Sequence, residues 1–190
     1  MATNQVYTVA YRRKREGKTD YKKRMKLLLG SKPRLVVRKS NKNITVQIIE
    51  FHPTGDKVIA HASSAELTKL GWKGHSANTS AAYLVGMILA KKAKKVTCVL
   101  DLGQYTSVKA SVLYALAKGA QDGGLDLNCS KEIVPDEKRL SGEHVSSYAK
   151  IIKADKARFE KQFSKYLKAG LDPEKLPEHF KQIKAKIGAQ

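Results

Sequence analysis

The sequence contains few of the residues that build disulfide frameworks, zinc sites or membrane spans. It has two cysteines, Cys98 and Cys129, which are far apart and lack CxxC spacing, so neither a zinc ribbon nor a disulfide framework is expected. No apolar run approaches the roughly 18 residues that a spanning helix needs. The first ten residues lack the charged and then apolar order of a signal peptide. We therefore expect a cytosolic protein.

Acidic residues are also scarce relative to basic ones. The 190 residues include 17 Asp and Glu but 37 Lys and Arg, which gives a formal net charge of +20. Charge so far from zero usually persists because a polyanion neutralises it. Residues 1–39 alone hold thirteen Lys and Arg against two acids. A basic segment ahead of a better balanced body is typical of nucleic-acid binding, although composition does not distinguish RNA from DNA.

Patterns that carry catalysis are missing as well. The five histidines are scattered without HxxxH or HExxH spacing, and no Walker, dinucleotide or nucleophile-elbow motif occurs. Asp101 ends an apolar strand where α/β enzymes often place functional groups. A two-metal nuclease would need several clustered carboxylates, so we interpret Asp101 as a capping or structural acid. We expect no catalytic residue, no metal and no cofactor, and keep a metal-dependent nuclease as the enzyme alternative.

Hydrophobic periodicity predicts an α/β protein with a mixed β-sheet core and packed helices. Residues 1–17 show no periodicity and are expected to lack order without a partner. Helices are predicted at 20–29, after Ser63 up to Gly71, after Asn78, and at 108–120, 142–168 and 177–187. Three antiparallel strands are predicted at 35–37, 44–49 and 58–62, a buried central strand at 96–100 and a short strand at 125–129.

These elements predict three regions along the chain. Residues 1–30 form a basic, extended N-terminal arm together with the first helix. Residues 31–135 form the α/β core, and residues 136–190 form a C-terminal helical extension that packs on the core. No internal repeat or low-complexity tract interrupts them.

The densest cationic stretch is residues 12–24, RRKREGKTDYKKR, with tyrosines interleaved. Arginine pairs with phosphate through two parallel hydrogen bonds, and lysine adds point charges. Tyrosine rings can stack on unpaired RNA bases. The basic turn RKSNKN at residues 38–43 could reach along a nucleic-acid backbone, or could be an ordinary polar turn. Trp72 could stack on a base, although a half-buried structural tryptophan is the commoner case.

The arm and the turn together resemble a known family. The segments are RRKREGKTDY at 12–21, KPRLVVRKSN at 32–41, GW at 71–72, SAAYLVG at 80–86, VLDLG at 99–103, KGAQDGGL at 118–125 and LPEHF at 176–180. In this order they closely resemble the L18 family, the 5S rRNA-binding proteins of the large ribosomal subunit. The length resembles the archaeal type. Lys109-Ala110-Ser111 departs from the family pattern, because a Gly-Ser pair is usual there.

The resemblance implies a structural protein that binds 5S rRNA and anchors it in the central protuberance. The implied partners are 5S rRNA, 23S-type rRNA and neighbouring large-subunit proteins, with no membrane and no homo-oligomer. The residues expected to contact RNA are Tyr7, Tyr11, Arg12, Arg13, Lys14, Arg15, Lys18, Thr19, Asp20, Tyr21, Lys22, Arg24, Arg34, Arg38, Lys39, Ser40, Asn41, Lys42 and Trp72.

Within that set the resemblance implies different roles. The arginines and lysines of the arm would neutralise phosphates, and Thr19 and Tyr21 would contact bases or riboses. Asp20 would cap the first helix or order a neighbouring arginine. The alternative to this hypothesis is a DNA-architectural protein or a general binder of polyanions.

Overall fold

The structure is a computed structural model that describes residue 6, residues 8–93 and residues 95–189. Its centre is a five-stranded mixed sheet in the order β3-β2-β1-β4-β5. β1, β2 and β3 pair antiparallel, whereas β4 runs parallel to both β1 and β5. The strands are β1 Arg34–Lys39, β2 Ile44–Glu50, β3 Lys57–Ser63, β4 Thr97–Asp101 and β5 Asp126–Leu127. The sheet confirms the predicted α/β class and the three antiparallel strands.

The helices pack around this sheet and on one another. They are α1 Arg12–Arg15, α2 Tyr21–Leu28, α3 Ser64–Lys69, α4 Thr79–Ala93, α5 Val112–Asp122, α6 Glu137–Ser141, α7 Glu143–Ile152, α8 Lys156–Lys168 and α9 Leu176–Ala189. Among the described residues, no helix is both long enough and apolar enough to cross a membrane.

Alternation along the strands gives the sheet two different faces. Ile44, Val46 and Ile48 of β2 are buried against α4, whereas the residues between them point to the opposite face. The prediction that 96–100 is the central strand is wrong in its position. β1 is central, and β4 has only the two-residue β5 outside it. An apolar run indicates burial, but it does not fix the order of strands in a sheet.

The core is built on an unusually close approach of α4 to α5. A Cβ atom added at Gly86 would lie 2.2 Å from the Leu116 carbonyl oxygen, and one added at Gly119 would lie 2.0 Å from the Tyr83 carbonyl oxygen. The two glycines therefore let the helix backbones touch. α4 is buried on nearly all sides, because the sheet, α5, α6 and α9 surround it.

α5 begins later than predicted. The helix expected at 108–120 starts at Val112, and Val108 is exposed. Ala110 has a left-handed backbone with φ +55°, and its N–H donates to the Ile133 carbonyl 2.8 Å away. A right-handed helix cannot continue through that conformation. This is the position at which the chain departs from the family's Gly-Ser pair, and glycine would adopt it without strain.

The C-terminal region is helical as predicted, but it is divided more finely. The helix expected at 142–168 is broken after Ile152, and Asp155 caps the next helix by accepting a hydrogen bond from the Arg158 N–H at 3.2 Å. α9 packs on α4, with Ile183 and Ile187 buried. The terminal helices therefore add to the main core.

The N-terminal arm differs in part from its prediction. Residues 12–15 form one turn of helix, which corrects the expectation that the whole of 1–17 lacks order; residues 1–5 and Tyr7 lie outside the described residues. Asp20 caps α2 as predicted, accepting from the Lys23 N–H at 3.1 Å. α2 buries no residue, and Leu29 is 77% exposed. Apolar contact therefore contributes little to the position of α2.

Candidate RNA interface

The cations of the arm lie on the surface, and some of them are linked through a shared acidic residue. Glu16 joins two of them, because Arg12 Nε lies 2.7 Å and Lys18 Nζ 2.8 Å from its two carboxylate oxygens. The hydrogen bond from Arg12, followed by that from Lys18, lowers the pKa of Glu16. Arg13 Nε donates to Thr19 Oγ1 at 2.9 Å. These contacts close the segment 12–19 into a compact loop.

Four further cations of the arm and of α2 make neither a side-chain hydrogen bond nor a salt bridge among the described residues. They are Lys14, Arg15, Lys22 and Lys26, and all four are exposed. Their charge is available to an external anion such as a phosphate. They form the free cationic surface of the arm.

Two tyrosines lie beside these cations. The rings of Tyr11 and Tyr21 are 5.2 Å apart between centroids and inclined at 46°. Tyr11 is 72% exposed, so one of its faces is open to a base. The third predicted aromatic, Tyr7, lies outside the described residues.

A cleft of about 650 Å³ separates the arm and α2 from the open face of the sheet. One wall is formed by residues of the arm and α2, another by strands β1 and β2, and the third by the turn before β3. We call it the arm cleft. Its polar lining includes Arg13, Lys18, Thr19, Asp20, Lys23, Arg24, Arg34, Arg38, Gln47, His52, Asp56 and Asp101. The arm cleft therefore combines cations with three carboxylates.

Alternating charges connect α2 to the sheet across this cleft. Arg24 Nη2 lies 2.9 and 2.8 Å from the two oxygens of Asp56, and Arg34 Nη2 lies 2.8 Å from the same carboxylate. Arg34 Nη1 in turn donates to Asp101 at 3.0 Å. Arg38 is 3.7 Å from Asp101 on the other side. This chain of ion pairs connects α2, which has no fully buried side chain, to the sheet.

Gly103 completes the far end of the ion-pair chain. Its N–H donates to Asp101 Oδ1 at 2.7 Å, and its carbonyl accepts from Lys23 Nζ at 2.9 Å. It has φ +62°, and an added Cβ atom would lie 2.8 Å from Cζ of Arg38. The backbone conformation therefore favours glycine, and a larger residue would also displace the Arg38 guanidinium.

The predicted basic hairpin is present at the β1–β2 turn. Ser40 Oγ accepts from the Asn43 N–H at 2.9 Å and donates to its carbonyl at 3.0 Å, which closes the turn. Ser40, Asn41 and Lys42 are exposed, while the Lys39 carbonyl accepts a hydrogen bond from Tyr105. The Ser40 side chain and its backbone N–H therefore hold the turn together with Asn43, and the side chains of Asn41 and Lys42 face solvent.

Two residues predicted to contact RNA are buried. The Arg34 side chain is 4% exposed and pairs with two carboxylates, so it cannot reach a phosphate as the structure stands. Trp72 is 3% exposed and stacks on His179 with ring centroids 5.2 Å apart. We therefore remove both from the predicted contact surface: Arg34 positions the arm, and Trp72 packs α9 against the core.

The sequence interpretation missed several residues of the arm cleft, of which Asp56 and Gly103 are the most important. The sequence analysis did not single out Asp56, because its partners Arg24 and Arg34 are 32 and 22 residues away along the chain. Asp101 was interpreted as a capping or structural acid, and its buried ion pair with Arg34 agrees with a structural role.

The described part of the arm cleft has no feature of a metal or nucleophile site. Within the described residues, no group of three or more His, Cys, Asp or Glu side chains could hold a metal ion. Burial, with a smaller effect of Asp126, raises the pKa of the Cys98 thiol to about 11. Cys98 is buried in the core outside the arm cleft, and a thiol with so high a pKa is a poor nucleophile.

Comparison with known proteins yields one family. Residues 5–96 match the family model described as ribosomal large subunit proteins 60S L5 and 50S L18. The matched segment contains the arm, α2, the hairpin, β1 to β3 and α4, and therefore most of the residues that line the arm cleft.

Proposed function

We propose that this chain, which belongs to the family of large-subunit ribosomal proteins 60S L5 and 50S L18, binds 5S rRNA and anchors it in the central protuberance. Membership makes the chain a structural constituent of the large subunit in the cytoplasmic ribosome, with rRNA and other ribosomal proteins as its general partners. The assignment of 5S rRNA, and of the residues that contact it, is the proposed part.

The observation that carries the proposal is the pre-positioned cationic arm. Free energy is needed to order a flexible arm on RNA, and the ion pairs of Arg24 and Arg34 with Asp56 place α2 on the core beforehand. Lys14, Arg15 and Lys22, which are among the cations with no internal partner in the described part of the chain, would bind phosphates. Arg12, Arg13 and Lys18 would exchange their weak, exposed contacts for phosphate oxygens.

The polar and aromatic side chains of the arm would add contacts beyond charge. Tyr11 and Tyr21 would offer ring faces to unpaired bases, and Thr19 a hydroxyl to a base or a ribose. Arg38 is 46% exposed and reaches the rim of the arm cleft, next to Lys39, Ser40 and Asn41 at the hairpin. The hairpin would form a second point of contact with the same RNA.

The proposed division of labour follows the three predicted regions. Residues 1–30 would contact 5S rRNA, and the core at 31–135 would hold the arm and hairpin at a fixed distance from each other. Residues 136–190 would stabilise the core and face neighbouring rRNA or proteins. No side chain of the arm cleft is assigned a chemical step.

A competition titration tests the proposal. The full chain is titrated against labelled cognate 5S rRNA by filter binding, with transfer RNA as competitor, and compared with the variant Lys14→Gln, Arg15→Gln, Lys22→Gln. We expect selection of 5S rRNA, and a shallower dependence of log affinity on log salt in the variant, by roughly 0.7–0.9 for each phosphate that the variant no longer neutralises.

The matched control is Lys69→Gln, Lys131→Gln, Lys181→Gln, which removes the same charge from exposed residues outside the arm cleft. Equal competition by transfer RNA would contradict the 5S rRNA assignment. Equal salt dependence in the variant and the control would contradict the role of the arm.

A further inference from the structure

A second basic cleft lies at the other end of β1, between the hairpin tip, the loop before α4 and α8. It has a volume of about 760 Å³ and shares no lining residue with the arm cleft. We call it the lysine cleft. It is lined by Lys42, Asn43, Lys73, Gly74, His75, Ser76, Lys161, Gln162, Ser164, Lys165 and Tyr166. This lining contains four lysines and no carboxylate.

The four lysines have no acidic partner within the part of the chain that the structure describes. Lys42, Lys73, Lys161 and Lys165 are all exposed, and none of them forms a salt bridge there. Other lysines do pair: Lys92 with Glu66, for example, at 2.6 Å. Like charges gathered in one cleft repel one another, so their grouping indicates an anionic ligand.

The cleft also offers neutral donors between the lysines. His75 Nδ1 accepts a hydrogen bond from the Ala77 N–H at 3.1 Å, so the proton of the neutral imidazole is on Nε2, where it can be donated. Burial, followed by the charges of Lys165 and Lys39, lowers the pKa of His75 and so favours the neutral ring. Ser76 and Ser164 add hydroxyl groups to the lining.

The chemistry of the lining favours nucleic acid over a protein partner. Protein interfaces are anchored by buried aromatic and aliphatic side chains and are depleted in lysine. Tyr166 is the single large apolar side chain in the lining of this cleft. Contacts to a phosphate backbone use lysines, hydroxyl groups and backbone N–H groups instead.

We propose that the lysine cleft is a second RNA-binding site, which holds the phosphate backbone of an RNA segment separate from the one bound by the arm. Lys73, Lys161 and Lys165 neutralise successive phosphates, and His75 and the serines donate hydrogen bonds to them. Lys42 stands at the hairpin tip and connects the lysine cleft with the surface assigned above. The chain would then hold two RNA segments at a fixed separation.

A residue-level footprint tests whether RNA enters the lysine cleft. The full chain is acetylated on its lysines with and without an excess of an RNA duplex of about 16 base pairs, and each site is measured by mass spectrometry. We expect protection of Lys73, Lys161 and Lys165, and no protection of Lys69, Lys131 and Lys181. Equal acetylation of the two sets in the presence of RNA would overturn the proposal.

A binding measurement then tests the charge. In Lys73→Gln, Lys161→Gln, Lys165→Gln, the slope of log affinity against log salt for the duplex should fall by roughly 2–3. The control is the matched triple variant at Lys69, Lys131 and Lys181. All six side chains are exposed, so folding is preserved, and circular dichroism verifies it.

The same assay distinguishes the other sources of an anionic ligand. A labelled poly-glutamate peptide serves as a model acidic protein. If the lysine-cleft variant loses the peptide but keeps the duplex, the site is for an acidic protein and the RNA proposal is wrong. If transfer RNA displaces 5S rRNA from the arm while the lysine footprint persists, the proposed function fails and this inference stands.

Discussion

The arm cleft and the lysine cleft are both basic, but they use their charge in different ways. In the arm cleft, Arg24, Arg34 and Arg38 alternate with the carboxylates Asp56 and Asp101. In the lysine cleft, four lysines line a similar volume with no carboxylate. Part of the basic charge of the arm cleft thus holds the protein together, whereas the charge of the lysine cleft remains free for a ligand.

The choice of side chain follows this division. The guanidinium of arginine carries five N–H donors on one planar group, so Arg34 pairs with Asp56 through Nη2 and with Asp101 through Nη1. A guanidinium also tolerates burial better than an ammonium group, whereas lysine keeps a strongly hydrated charge on a flexible stem. Net charge alone does not separate the two uses, and a count of basic residues would assign both clefts the same role.

The largest effect is expected from breaking the buried ion pair of the arm cleft. Asp101→Asn leaves the buried Arg34 with a weaker partner, so the free energy of unfolding should fall by about 3 kcal/mol. Urea denaturation followed by circular dichroism measures it. The control is Asp126→Asn at the exposed edge of the same sheet, which should cost less than about 1 kcal/mol. Equal stabilities of the two variants would show that the pair does not stabilise the arm cleft.

A smaller change in the free energy of unfolding, of opposite sign, is expected when lysines are removed from the lysine cleft. Lys73→Gln, Lys161→Gln, Lys165→Gln relieves repulsion between like charges, so the free energy of unfolding should rise by about 0.5 kcal/mol at low salt. The gain should vanish at high salt, where exposed charges are screened. A loss of stability in this variant would show that the lysines have internal partners, and the contrast between the clefts would disappear.

The smallest expected effect is a pH-dependent change in tryptophan fluorescence at the edge of the lysine cleft. His179 stacks on Trp72, the single tryptophan of the chain, and its Nε2 accepts from the Lys73 N–H at 3.1 Å. Burial, then the charges of Lys73 and Lys186, lowers the pKa of His179. The neutral ring is therefore favoured in the folded state, and its stabilising contribution, present above the ordinary pKa of about 6.5, is lost as the pH falls.

Tryptophan fluorescence measured against pH tests this assignment. We expect the emission to drop as His179 becomes charged, with a midpoint below about 6.5, and His179→Gln should abolish the change. His75→Gln is the control and should retain it. An RNA duplex in the lysine cleft should raise the midpoint pH of the fluorescence change, because it neutralises Lys73. If RNA leaves that midpoint unchanged, the result argues against occupancy of the cleft.

Local sequence patterns predicted much of the fold. The alternation of Ile44, Val46 and Ile48 indicated the strand at 44–49, and the helix expected after Ser63 is α3. Asp20 was expected to cap the first helix or to order a neighbouring arginine, and it caps α2. Asp101 was interpreted as a capping or structural acid, and it pairs with the buried Arg34. The strand and the helix cap depend on residues that are close in sequence, so local patterns indicate them.

Other features required the tertiary structure. The start of α5 depends on a hydrogen bond from Ala110 to Ile133, and the burial of Trp72 depends on α9, far along the chain. The position of β4 beside β1 likewise comes from parallel pairing between strands that are distant in sequence. Periodicity does not report which distant segments meet.

The sequence by itself determined the α/β class, the basic arm and the resemblance to a ribosomal family, because composition, periodicity and motif order are local properties. Only the tertiary structure decided which cations are free. Arg34 and Lys14 are both basic residues of the N-terminal segment, but Arg34 is buried between Asp56 and Asp101 whereas Lys14 faces solvent. A basic side chain is therefore available to RNA only when it is exposed and no carboxylate from a distant part of the chain pairs with it.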